Sequence, residues 1–228
     1  MNWVCYGPAA LLFQFAEHAG ERAFNRSQAI TAEIERLPPP GLVEYVHALT
    51  TILLEFDPKI VPSPARIAPL LVERFETAIG VAKPSQPAKI KEIPVTYDGE
   101  DLPRMSEAKR MSVAQICELH AAPVYRVYML GFAPGFPYLG DLDPRLRMPR
   151  LAVPRQNVRA GSVAIGGEHT GIYSIESPGG WNIIGHTSVK IFDVARGSPN
   201  GLDEEMFLLR PGDGVKFIPV QTGSSTFQ

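Results

Sequence analysis

The chain of 228 residues is poor in most features that announce a function. It has two cysteines, Cys5 and Cys117, far apart and outside any C-x-x-C spacing, so neither a disulfide framework nor a thiolate zinc site is indicated. The compartment that fits is reducing, and a cytoplasmic location is expected. Neither sign of charge dominates. The 22 basic and 24 acidic residues leave a formal net charge of -2, which gives no global electrostatic reason to bind nucleic acid or an anionic membrane. No apolar run approaches a membrane span, and the first residues hold no basic stretch followed by a long apolar one, so a soluble, unprocessed protein is expected.

Catalytic signatures are scarce too. The histidines are His18, His47, His120, His169 and His186. No pair of them stands at H-x-x-x-H or H-E-x-x-H spacing, and no metal site is expected. No serine stands in a G-x-S-x-G elbow, and no order of serine, histidine and acid is evident. The glycine-rich stretch 161–167 lacks the lysine of a Walker loop and the spacing of a dinucleotide fingerprint. A self-contained hydrolase or nucleotide-binding enzyme is therefore poorly supported. His120 ends an expected helix and reads as a cap or packing residue; His169 lies in an expected loop, where a lone histidine has no assignable partner.

What the chain does have is a change of texture. Residues 1 to about 96 alternate strand and helix patterns. Strands are expected at Trp3–Tyr6, Ala10–Phe15, Leu42–His47 and Thr50–Phe56, and helices at Arg22–Arg36 and Pro64–Ile79. In the second helix Ile67, Leu70, Leu71, Phe75 and Ile79 form one stripe. The run Pro38-Pro39-Pro40 stops the first helix. With a last strand at Lys89–Val95, the order reads as the β-α-β-β-α-β ferredoxin-like pattern. The segment Val81–Pro87 has linker composition, which places a boundary near residue 88, although Lys89–Tyr97 fits either side.

Beyond it, ten of the twenty glycines fall between Gly131 and Gly185, where the backbone must turn sharply or approach something closely. One helix is expected at Val113–Ala121, with Ser112 and Gln115 placed for a capping box. Strands are expected at Val124–Leu130, Ser162–Ile165, Ile172–Ile175, Trp181–Ile184, Val189–Asp193 and Gly214–Val220. A mostly β barrel is the simplest architecture for that order.

Two clusters there suit recognition. Gly131–Gly140 sets three aromatics and two prolines among three glycines. Either this is a stiffened binding surface with little freedom to lose, or a loop folded over the barrel mouth with its aromatics as a plug. The stretch Glu176–Gly185, "ESPGGWNIIG", is likewise either a turn or the rim of a binding face. Arg150 and Arg155 are the best fixed cations near these loops, and a guanidinium fork suits a carboxylate, carbamate or phosphate.

The segments "LGFAPGFPYLGDLDPRL" (130–146), "VPRQNVRAGSVAIGG" (153–167) and "TGIYSIESPGGWNIIGHT" (170–187) resemble the family called allophanate hydrolase subunit 1 or the 5-oxoprolinase B subunit, which includes KipI-like proteins. "LPPPGLVEYVHALTTILLEFDP" (37–58) and "LRPGDGVKF" (209–217) extend the resemblance over nearly the whole chain. It implies an α+β protein with an N-terminal ferredoxin-like α/β domain (1–88) and a cyclophilin-like β-barrel domain (89–228). It further implies a subunit, inactive alone, of an ATP-dependent 5-oxoprolinase that opens the lactam of 5-oxo-L-proline to L-glutamate. Its partners would be the second barrel subunit of 5-oxoprolinase, which is allophanate hydrolase subunit 2-like, together with a LamB/YcsF-like third subunit. ATP and magnesium would be used by the assembled complex, with no cofactor assigned to this chain. The alternatives are a KipI-like inhibitor of a sporulation histidine kinase and a carboxyltransferase- or allophanate-related subunit of urea metabolism. Pro134, Gly135, Phe136 and Tyr138 match one family motif. Arg155, Gly161 and Ser162 match a second, and Glu176, Pro178, Gly179, Gly180 and Trp181 a third. Apart from Gly161 and Gly179, these residues together with Gly167 and His169 are the candidate substrate- or partner-binding residues. Two positions depart from the pattern: His169 stands where glutamine is usual and His186 where arginine is common, which bears on the substrate wherever they touch it.

Overall fold

The computed structural model describes residues 1–83, 87–197 and 204–220, and the chain divides into two units, Met1–Gln86 and Pro87–Gln228. Pro84–Gln86 of the linker-like segment lie outside the described residues.

In the first unit, β1 (Asn2–Cys5), β2 (Ala10–Gln14), β3 (Leu42–His47) and β4 (Thr51–Phe56) form an antiparallel sheet of order β1-β2-β4-β3. Period-two alternation decides its buried face: Leu11 and Phe13 on β2 and Ile52, Leu54 and Phe56 on β4 are buried. Two helices supply the rest of this core, α1 (Glu21–Arg36) and α2 (Ala68–Val81). Helix α1 buries Ala23, Phe24, Ser27, Ile30 and Ile34, one stripe at helical spacing, and ends at Leu37 against the proline run. Helix α2 follows a 3-10 turn, Pro64–Arg66, and buries Leu71 and Phe75, with Phe75 edge-on to Phe13 at 5.5 Å. Leu70, placed on the buried stripe by its spacing, is 64 % exposed.

The unit's order is therefore β-β-α-β-β-α rather than β-α-β-β-α-β. Strand β5 (Ile90–Val95) does not close its sheet. It pairs in parallel with the last strand of the second unit, where Ile93 and Val95 enter a core containing Val215 and Phe217.

The second unit continues with α3 (Leu102–Lys109), α4 (Val113–Ala121), β6 (Val124–Leu130), β7 (Pro137–Gly140), β8 (Arg155–Val158), β9 (Ser162–Gly166), β10 (His169–Ile172), β11 (Ser177–Gly179), β12 (Asn182–His186) and β13 (Gly214–Pro219). Seven strands make one sheet of order β12-β9-β10-β7-β6-β13-β5, and β8 with β11 makes a separate ribbon. The sheet curls until its edges meet: Thr96, just past β5, exchanges both backbone hydrogen bonds with His186 at the end of β12, each 2.9 Å. Gly185 permits this approach, because a Cβ there would collide with the Thr96 carbonyl oxygen. The protein is thus mixed α+β with a curled sheet.

Helix α4 has the expected bounds and its capping box: Ser112 Oγ accepts from Gln115 N (3.2 Å) and Gln115 Oε1 accepts from Ser112 N (2.9 Å). Two expectations are corrected, and one element is new. Val189–Asp193 forms no strand, only an isolated bridge between Phe192 and Phe207. The strand expected at Ile172–Ile175 lies at His169–Ile172, set by its pairing with β9, which puts His169 on a strand. Helix α3 is an element the sequence does not announce; its first turn carries Pro103, a residue tolerated at the start of a helix where no backbone donor is needed.

Candidate functional site

Strand β9 separates two environments. Val163 and Ile165 face the interior of the curled sheet, whereas Ala164 packs on the opposite side in a cluster with Phe136, Val158, Tyr173 and Trp181. The Gly131–Gly140 loop and the β8–β11 ribbon contribute to this outer cluster. Gly135, with φ at 75°, lets the loop reverse, and Ser174 Oγ donates to the Pro134 carbonyl at 2.6 Å. Phe136 lies edge-on to Tyr138, Tyr173 and Trp181, each at 5.3 Å between centroids.

The loop and "ESPGGWNIIG" therefore meet, and they meet as packing. Phe136 is 2 % exposed and Trp181 is 5 % exposed. The indole rests on Gly166, where an added Cβ would lie 2.5 Å from Trp181 Cδ2. The plug reading holds for these two rings. The accessible edge is made by half-buried Tyr138 and by Phe132, which is 64 % exposed. Burial raises the Tyr138 and Tyr173 hydroxyl pKa values, and the charge of Arg150 opposes the shift in both.

The two arginines differ in what they already hold. Arg155, at the start of β8, uses its whole guanidinium: Nε lies 2.9 Å from Glu100 Oε1, Nη2 2.9 Å from Asp101 Oδ2, and Nη1 donates to the Trp181 carbonyl at 3.3 Å. Arg150 is exposed and sits with its guanidinium carbon 5.9 Å from the Trp181 ring centroid. Its segment is fixed on both sides, since Gly167 N donates to Met148 O and Leu151 N to Gly180 O, both at 2.7 Å. Among the described residues Arg150 has no hydrogen bond or ion pair, so it is the cation available to an incoming anion.

The other candidates scatter. Glu176 Oε1 accepts from Asn157 Nδ2 at 2.8 Å across the ribbon, and Pro178 is exposed on β11. His169 lies edge-on to Tyr128 and Tyr138, and burial lowers its pKa against the opposing charges of Glu168 and Asp141. Ser162 belongs to a second place, a cleft of about 450 Å³ shared with Asp98, Glu100, Arg159, His186 and Thr187. Asp98, Glu100 and Asp101 are not among the residues that sequence reasoning singles out. Their signal lies in Asp98-Gly99-Glu100-Asp101 directly before Leu102-Pro103, an acidic turn running into a proline-started helix. Among the described residues no group of histidine, cysteine and carboxylate side chains is placed to hold a metal ion, and no helix is long and apolar enough to cross a membrane.

Comparison with known proteins places this geometry. Residues 1–202 match the family described as carboxyltransferase domain, subdomain C and D. The chain is 41 % identical over 188 residues to the 5-oxoprolinase B subunit of Escherichia coli O157:H7, covering 81 % of each. It is 36 % identical over 226 residues to the 5-oxoprolinase B subunit of Bacillus subtilis (strain 168), covering 94 % of this chain and 90 % of that one. The crystal structure of TTHA0988 is similar with a TM-score of 0.74 at 39 % identity over 95 % of this chain, which spans 41 % of that longer chain.

Proposed function

The chain belongs to the family of 5-oxoprolinase B subunits, carboxyltransferase subdomains C and D, and from that premise we propose that it is part of a heteromeric, ATP-dependent 5-oxoprolinase. In this reading it works in the cytoplasm with a second barrel subunit, which is allophanate hydrolase subunit 2-like, together with a LamB/YcsF-like one, and its own second unit is a cyclophilin-like barrel. The observation that carries the proposal is the 41 % identity to a protein of that name across 81 % of both chains.

The site chemistry fits a small cyclic amide bearing a carboxylate. Tyr138 and Phe132 offer ring surface for the methylene face of 5-oxo-L-proline, and Arg150 offers a cation to its carboxylate. Arg155 instead cross-ties the ribbon to the acidic turn ahead of α3, because its three nitrogens are already engaged. An unstrained lactam resists water at neutral pH, and activation of the amide oxygen at the expense of ATP would lower that barrier.

The test is reconstitution. Purified chain is mixed with both partner proteins, ATP, magnesium and 5-oxo-L-proline, and glutamate is measured. Release that needs ATP and every component is expected. No glutamate from the complete mixture overturns the proposal.

A further inference from the structure

We propose that His169 is a substrate-orienting residue of the site at Tyr138 and Arg150, its imidazole Nε2 accepting a hydrogen bond from the ring N–H of the lactam. This deepens the lactam-opening reading above and rests on it.

Strand alternation brings His169 to that site. Its neighbour Thr170 points into the curled sheet, where Thr170 Oγ1 lies 2.8 Å from Nε2 of the buried His120. His169 therefore faces the other side, opposite Gly166, the residue on which the Trp181 indole rests. On β7 the partner of Thr170 is Leu139, so the position beside His169 is Gly140. With no side chain there, the imidazole has room to lie over β7, and it stands edge-on to Tyr138 and Tyr128, each at 6.3 Å between centroids. Tyr138 is the shared neighbour of His169 and Arg150. Its ring also stands 5.7 Å from that of Trp181, over whose face Arg150 sits, and the Arg150 charge reaches the Tyr138 hydroxyl.

The two ring nitrogens of His169 differ. Nδ1 is enclosed and has no hydrogen bond among the described residues. Nε2 has none either, but it is not enclosed, so it is the nitrogen turned toward the half-open edge. Burial keeps the imidazole neutral, with the charge of Arg147 helping and those of Glu168 and Asp141 opposing. A neutral imidazole offers one N–H and one lone pair, and the hydrogen bond made at one nitrogen decides which is which. A donor arriving at Nε2 leaves the proton on Nδ1.

The lactam supplies that donor. With the carboxylate of 5-oxo-L-proline at Arg150 and its methylenes on Tyr138 and Phe132, the N–H is the one donor the ring has left, and Nε2 is the acceptor beside Tyr138. Accepting from the N–H draws electron density toward the amide oxygen, the atom that ATP-dependent activation needs, and leaves that oxygen uncovered. His169 forms no covalent bond and takes no proton in this role.

The experiment measures binding by calorimetry to the assembled complex containing the full chain, without ATP, using two probes. One is 5-oxo-L-proline; the other is its γ-lactone analogue, in which a ring oxygen replaces the N–H. The parent should bind the lactam about tenfold more tightly, because the lactone sets an oxygen lone pair against Nε2. His169→Phe keeps an aromatic ring beside Tyr138 and removes the acceptor, so its preference should fall to about twofold or less. His169→Gln keeps an acceptor and should bind the lactam with a preference between those two. A parent that binds both probes alike, or an unaltered preference in His169→Phe, overturns the inference and leaves the lactam-opening reading intact. Equal weakening of both probes in His169→Phe, with a lowered melting temperature, shows that the ring only packs, and overturns it too. If the parent complex binds neither probe and releases no glutamate when ATP is added, the lactam-opening reading fails and the inference falls with it.

Discussion

Asp101 Oδ2 receives two donors at once, Arg155 Nη2 at 2.9 Å and the backbone N–H of Ile183 at 2.7 Å. One carboxylate oxygen thereby ties together the turn ahead of α3, the start of β8 and the strand β12. The Asp101 side chain is 8 % exposed and that of Arg155 is 22 % exposed, so removing either partner leaves a poorly solvated charge. Arg155→Ala should destabilise the protein by about 2 kcal/mol, discounted from a fully buried pair because Arg155 is partly wet, or roughly 6 °C in melting temperature. Thermal denaturation checks it. An unchanged melting temperature contradicts the cross-tie and returns Arg155 to the role of a free cation.

The indole of Trp181 and the missing side chain of Gly166 are two halves of one contact. Gly166→Ala must push the ring or the strand, since the new Cβ would lie 2.5 Å from Trp181 Cδ2 and Cε2 and 2.6 Å from Cγ. In a Trp3→Phe background, which leaves Trp181 as the only indole, emission should shift to the red as the ring gains water. An emission maximum like that of the parent would show that the cluster yields freely.

How much of this is legible in the sequence differs by element. Helix α4 can be read to the residue because its capping box is local chemistry, Ser112 and Gln115 acting three residues apart. Strand β5 stays open between the two units in the sequence because alternating Ile93 and Val95 state that one face is buried, not which sheet buries it; that choice depends on β13, more than a hundred residues later. The aromatic loop and "ESPGGWNIIG" both stand out, and they do meet. Whether they meet as plug or rim is closed to sequence, since burial of Trp181 depends on Gly166 across two strands. His186 stands out only as a departure from a family pattern. Its hydrogen-bond partner Asp98 is 88 residues away, and the irregular pairing of β12 with β9 between Ile183 and Gly185, just before it, has no signature in the sequence.

His120 gives the protein a predictable acid response. The ring is fully buried, bonded at Nδ1 to the Tyr97 hydroxyl (2.7 Å) and at Nε2 to Thr170 Oγ1 (2.8 Å), and stacked on Phe217 at 4.6 Å. Burial pushes its pKa down from 6.5 to about 3. The folded state thus holds the ring neutral where the unfolded chain would protonate it. The unfolded state binds the extra proton between those values, so stability is full above pH 6.5 and falls as pH drops toward 3, by about 1.4 kcal/mol per pH unit from this group. His47 and His169, both shifted down by burial, add in the same direction. Denaturant unfolding across this window should show the slope, and His120→Gln should remove about one proton from it whatever the variant does to stability at neutral pH. An identical slope in the variant means that His120 does not titrate on unfolding.

Arg150 and Arg155 stand five residues apart and should fail in opposite ways. Arg155 has three partners and little water, whereas Arg150 is exposed over the face of Trp181 and has no carboxylate of its own among the described residues. If Arg150 meets the carboxylate of 5-oxo-L-proline, Arg150→Ala removes a charge-assisted hydrogen bond worth about 1.5–3 kcal/mol. Because the carboxylate itself takes no part in the bond change, the loss is felt about equally in ground and transition states. It should appear as a KM raised by roughly ten- to a hundredfold with kcat nearly unchanged. The melting temperature should hardly move, as expected for an exposed side chain. Arg150→Lys keeps the charge but not the planar fork, so its KM should fall between those of the parent and the alanine variant. Steady-state kinetics of the assembled complex decide the matter. A lowered kcat at constant KM would place Arg150 at the reacting amide, and unchanged kinetics would leave its charge without a part in the reaction.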